Sequence, residues 1–195
     1  MLHSAAFGQQ ADTVYLQKKY SVLFVGNSLT YTNDLPAMVV RKAKEKSIEL
    51  TTQMIAYANY ALEDHWNDGQ IQTLIEEKKF DFVVVQQGPS SQAEGREMLL
   101  DYGERIKELC EKNNTRLAFF MAWPAHANRH MFDGVIKNYG DAASTTNSIL
   151  CPVGTVWRKY FTETGDYSYY GPDMFHPSEK GSLVAAGVIV DSLFK

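Results

Sequence analysis

Cysteine is scarce in this sequence: only Cys110 and Cys151 in 195 residues, far apart and without metal-ligand spacing. They read as buried free thiols, with a disulfide as the alternative. Positive charge is not in excess. The formal net charge is -4 and no basic block stands out, which disfavours a nucleic-acid partner. No apolar run reaches the length of a transmembrane helix. There is no glycine-rich phosphate loop, repeat, low-complexity tract or linker. His126 and His130 have a spacing that could hold zinc, but no HExxH glutamate or cysteine accompanies them, so no metal is expected. Residues 1–10 lack the basic and apolar regions of an intact signal peptide. Residues 2–8 read instead as the stub of a removed export signal, which would suit a periplasmic or secreted protein.

What is present is the composition of a soluble globular protein, 45% hydrophobic and 22% charged. The length suits one domain over residues 20–195, preceded by an extension over residues 1–19. Short apolar runs predict strands over residues 22–25, 48–56, 80–85, 115–122 and 149–153. The third is apolar throughout and so reads as central. Helical patterns intervene over residues 35–46, 71–79, 94–113, 132–148 and 154–162, and a last helix over 182–194 buries Leu183, Ala186, Gly187 and Val190. Strands alternating with helices argue an α/β fold, a three-layer α/β/α sandwich around a five-stranded parallel sheet.

Chemistry concentrates at strand ends. The first strand stops at Gly26-Asn27-Ser28, residue types that tolerate a sharp turn. Ser28 then lies at the carboxyl edge of the sheet, where such folds bind ligands. Near the other end of the chain, Asp173-Met174-Phe175-His176 places a carboxylate three residues before an imidazole. In a tight turn the carboxylate holds one ring nitrogen and the other faces the serine, the nucleophile, base and orienter arrangement of acyl transfer. His65 shares a helical face with Leu62 and Trp66 and reads as a packed or capping residue.

The two stretches together resemble the SGNH (GDSL-type) hydrolases. Gly26-Asn27-Ser28-Leu29 stands for the first block, with Asn27 where the family usually has Asp. Asp173-Met174-Phe175-His176 fits the last, with Pro177-Ser178 and Gly181 following. The resemblance implies a flavodoxin-like strand order, Ser28, Asp173 and His176 as the catalytic set, and no cofactor. It also implies an oxyanion hole from the N–H of Ser28, the N–H of Asn59 in place of the family's glycine, and one side chain at the third strand end. Gly69 reads as a simple turn and is the weaker match to that glycine. At the third strand end Gln87-Gly88 resembles a pair found in some carbohydrate esterases, Ser90 fills the usual Asn position, and Gln86 is a further candidate. Asn27, Trp123 and Tyr170 are expected to contact substrate. The expected partner is a small ester such as an acetylated carbohydrate; a fold that binds carbohydrate without hydrolysing it, or a flavodoxin-like anion binder, are the rivals.

Overall fold

The computed structural model describes residues 18–195, so the expected export-signal stub lies outside the described residues. Five strands form one parallel sheet: β1 (Lys19–Gly26), β2 (Glu49–Ala56), β3 (Phe82–Val85), β4 (Arg116–Phe120) and β5 (Ile149–Cys151). Their order is β2-β1-β3-β4-β5. Val22 to Val25 of β1 and all of β3 are buried, as strands covered on both faces must be. β2 is an edge strand whose burial does not alternate regularly: Leu50 and Ile55 are buried while Met54 is exposed.

The connecting helices are α1 (Ser28–Tyr31), α2 (Leu35–Glu45), α3 (Leu62–Asp68), α4 (Gln70–Glu77), α5 (Ala93–Lys112), α6 (Phe132–Thr145), α7 (Val153–Thr164) and α8 (Glu179–Leu193). α2 and α8 pack together against one face of the sheet; α3 to α6 form a contiguous layer on the other. Pro36 sits in the first turn of α2, where its missing N–H costs nothing. Ser178 caps α8, its hydroxyl accepting the Gly181 N–H at 3.1 Å, so this helix starts earlier than expected. Its buried face also differs. Leu183 is exposed and Gly187 only half-buried, while Gly181, Ser182, Ala185 and Ile189 join Ala186 and Val190 inside. Gly181 sets this rotation: a Cβ there would lie 2.7 Å from Trp157. Cys110 and Cys151 are buried free thiols, and burial pushes both up to about 12.

The strand order places the site. From β1 the chain first moves outward to β2, then returns past β1 to β3 and onward. That reversal opens a crevice at the carboxyl ends of β1 and β3. The register aligns Gly26 with Ala56 and Val25 with Val85, and Val85 with Phe119, so the loops after β1 to β4 leave the sheet at one edge.

Candidate active site

Ser28 opens α1, a single helical turn that precedes the expected helix of residues 35–46. Asn27 caps it, its Oδ1 accepting the Leu29 N–H at 3.1 Å. Asn27 also donates through Nδ2 to the Tyr60 carbonyl at 3.0 Å, so both ends of its side chain are engaged by the protein. It lines the cleft while capping the serine turn. Below the turn lies Gln86, 1% exposed. Its Oε1 accepts the Asn27 N–H at 3.1 Å and the Thr30 hydroxyl at 2.7 Å, and its Nε2 donates to the Gln87 carbonyl. Gly26 must be glycine because a Cβ there would meet Thr30 Oγ1 and come within 2.6 Å of Gln86 Oε1.

Asp173 organises the opposite turn. Its Oδ1 accepts the N–H groups of Phe175 and His176 at 3.0 and 2.9 Å. Oδ2 is left for His176 Nδ1, at 2.5 Å. The His176 bond, then the Phe175 N–H, hold the Asp173 carboxyl below its ordinary range. His176 Nε2 lies 2.9 Å from Ser28 Oγ. The structure thus brings the three residues into one hydrogen-bonded line across 148 positions of sequence. A carbonyl carbon presented to Ser28 Oγ would meet a hydroxyl whose proton has an acceptor already in place.

The Trp123 indole donates to the Phe175 carbonyl at 3.0 Å and supports this turn from below. Trp123 is not the cleft wall expected: it is fully buried and stacks on Trp157, with ring centroids 3.7 Å apart. Pro124 and Ala125, its successors, line the cleft instead. Tyr170 is likewise buried, its hydroxyl donating to the Pro124 carbonyl at 2.7 Å, and not a substrate contact. Burial raises the Tyr170 phenol above its ordinary range.

The cleft beside Ser28 has a volume of about 640 Å3. Its lining runs from apolar Met98, Met131 and Phe175 to polar Asn59, Glu94 and Asn128, and includes no lysine or arginine. Asn59 adopts φ 65°, the left-handed conformation its side chain makes accessible. Among the described residues, neither the Ser28 N–H nor the Asn59 N–H has a hydrogen-bond acceptor in the protein. The third-strand candidates differ from both. Gln87 Nε2 donates to Ser90 Oγ at 2.7 Å and to the Gly95 carbonyl at 3.0 Å, using both its hydrogens, while Oε1 accepts the Leu62 N–H at 3.2 Å. The Ser90 hydroxyl donates to the Gly88 carbonyl at 2.9 Å. Gln86 faces the turn and not the cleft. Gln87 and Ser90 have their donors engaged within the protein, and Gln86 is not part of the cleft lining.

Sequence reasoning did not single out Thr30 or Asn33. Asn33, at φ 59°, donates to the Pro177 carbonyl and to Ser182 Oγ, both at 3.0 Å, and so joins the serine loop to the histidine turn. The adjacent pair Asn33-Asp34, residue types that tolerate the left-handed backbone both adopt, was the available signal. His126 and His130 do not converge on a metal-binding group: no cluster of three His, Cys, Asp or Glu side chains occurs among the described residues. No helix among them is long and apolar enough to cross a membrane.

No protein-family model and no curated protein matches the sequence. Solved structures do match over nearly the whole chain. A candidate SGNH hydrolase from Slackia heliotrinireducens superposes with a TM-score of 0.78 at 21% identity, covering 90% of this chain and 100% of that one. A variant of an acetyl-xylooligosaccharide esterase from Geobacillus gives 0.69 at 15%, covering 90% and 94%. A lipase/acylhydrolase from Enterococcus faecalis gives 0.69 at 14%, covering 88% and 94%. With its five parallel strands in flavodoxin-like order and helices on both faces, the chain has the fold of the SGNH hydrolases.

Proposed function

We propose that this protein is a serine esterase that removes a small acyl group, such as acetyl, from a carbohydrate or other polar carrier. The observation that carries this reading is the unbroken line Ser28, His176, Asp173 at the mouth of a cleft. Ser28 Oγ attacks the ester carbonyl carbon while His176 Nε2 takes the hydroxyl proton. Asp173 holds the ring in the tautomer that leaves Nε2 free to accept, and stabilises the imidazolium. The tetrahedral intermediate collapses, the alcohol leaves with the proton from His176, and an acyl-serine remains. Water, deprotonated by the same imidazole, then releases the acid and restores Ser28.

The oxyanion hole in this mechanism is built from backbone, the N–H groups of Ser28 and Asn59. The support is that these donors have no acceptor among the described residues, whereas the side chains of Gln86, Gln87 and Ser90 are engaged. For the carrier, the support is the polar side of the cleft, where the side chains of Asn59, Glu94 and Asn128 make no hydrogen bond to the other described residues. Of two proteins of the same fold, one is named an acetyl-xylooligosaccharide esterase and the other a lipase/acylhydrolase. A panel of p-nitrophenyl esters of rising chain length, run beside acetylated mono- and oligosaccharides, tests the proposal. Turnover should be greatest with acetyl and fall with chain length. Sugar binding without turnover would instead favour a non-hydrolytic carbohydrate-binding protein.

A further inference from the structure

His65 is 1% exposed and lies in α3, yet its imidazole makes a polar contact with a different element: Nε2 is 2.8 Å from the carbonyl oxygen of Gly26. A carbonyl only accepts, so Nε2 carries the hydrogen. The same oxygen accepts the Tyr57 N–H at 3.2 Å. Gly26 ends β1, two residues before Ser28; Tyr57 begins the loop that carries Asn59, and His65 lies just past that loop's end. One carbonyl is therefore gripped from both sides of the Asn59 loop. The ring of Tyr57 stacks on the imidazole with centroids 6.0 Å apart, and Tyr60 meets it edge-on at 5.0 Å.

We infer that His65 is a positioning residue, setting the Ser28 N–H and the Asn59 N–H at a fixed separation through the Gly26 carbonyl. The inference rests on the esterase reading above. His65 is not a second base, because its hydrogen-bearing nitrogen is committed to a carbonyl and the serine hydroxyl faces His176. Nor is filling space a sufficient account. A leucine would fill much of the volume, but would leave the Gly26 carbonyl with one donor instead of two and the loop free to shift. Oxyanion donors act most strongly when charge develops on the substrate oxygen, so their misalignment lowers kcat while KM, set by the cleft walls, holds.

The test compares His65→Leu with His65→Gln, whose carboxamide can again donate to the Gly26 carbonyl. Both are assayed on p-nitrophenyl acetate, with reactive sites counted by stoichiometric fluorophosphonate labelling so that misfolded protein is not scored as a slow catalyst. Expected are a fall in kcat of about tenfold or more for His65→Leu, KM within about twofold of wild type, and recovery of most of the rate in His65→Gln. Wild-type kcat in His65→Leu overturns the inference, as does an equal loss in both variants. Should His65→Leu fail to fold, His65→Gln decides alone: near wild-type kcat supports the donor role, and a tenfold loss in folded protein refutes it. Wild-type protein without esterase activity would sink the esterase reading itself; active wild type with insensitive variants would sink only the role of His65.

Discussion

The two halves of the site are held in opposite ways. The Ser28 turn hangs on directional hydrogen bonds: Gln86 to the Asn27 N–H and Thr30, Asn27 to Leu29 and Tyr60, His65 to the Gly26 carbonyl. The Asp173–His176 turn rests on packed rings. Trp123 stacks on Trp157, Tyr170 meets Trp157 edge-on at 5.3 Å, and Gly181 lets α8 close over them. The division follows from what each half has to do. The serine half must aim backbone N–H groups, and hydrogen bonds fix direction as well as place. The histidine half must hold one ring at one height, which close packing achieves together with the Trp123 and Asn33 bonds to the Phe175 and Pro177 carbonyls, while Asp173 aims the ring through Nδ1.

Asp173→Asn probes that last point and should have the largest effect. An amide cannot hold the productive tautomer or stabilise imidazolium, so kcat should fall by about 10^4-fold. The aromatic bed should leave the fold in place, with a melting temperature near wild type. Because its hydrogen bonds hold the Asp173 carboxyl below its ordinary range, protonation of Asp173 should not limit wild-type activity in mild acid. A carboxylate limb in the kcat/KM profile at or above the ordinary carboxylate range would contradict this.

Trp157→Ala should break the packed half. Emptying a fully buried indole site costs about 3–5 kcal/mol, measurable by urea denaturation, and activity should fall with it as Trp123 and the Phe175 carbonyl lose support. Gln86→Leu should damage the polar half differently. It leaves the buried Asn27 N–H and the Thr30 hydroxyl without their acceptor, at about 1–3 kcal/mol for an unsatisfied group. Its activity loss should exceed what the lost stability explains. If Trp157→Ala and Gln86→Leu lose activity only in proportion to stability, the distinction between aiming and placing fails.

The smallest effect is on pH stability. Burial first of all holds the His65 imidazole below its ordinary value of 6.5. An unfolded chain therefore takes up a proton below that value which the folded protein resists. Its contribution to stability is complete above about pH 6.5 and is lost as pH falls toward the folded value. Denaturation midpoints measured between about pH 5 and 8 should decline in acid for wild type, and less steeply for His65→Gln.

Much of this was legible in the sequence where the signal is local. The apolar runs of β1 and β3 declare buried parallel strands. D-x-x-H declares its turn because one Asp can bind both the backbone and a ring three residues on. Asn59 could be placed because asparagine tolerates a left-handed backbone. The supports were not legible, since each depends on partners remote in sequence. Gln86 and Gln87 lie just past β3 and engage different partners, the first the Asn27–Thr30 turn and the second Leu62, Ser90 and Gly95. Nothing in Val83 to Gly88 foretells that both carboxamides would be engaged. Trp123 and Tyr170 look like exposed aromatics at a strand end and in a loop. They are buried because Gly181 brings α8 against Trp157, a contact also responsible for the rotated face of that helix.

The central claim is that Ser28 is a nucleophile made reactive by His176. A fluorophosphonate probe, followed by peptide mapping, addresses it directly, because the probe phosphonylates only an activated serine. Wild-type protein should be labelled stoichiometrically at Ser28, with labelling abolished in Ser28→Ala and strongly slowed in His176→Ala. Labelling at another residue, or labelling of Ser28 at an undiminished rate without His176, would contradict the account.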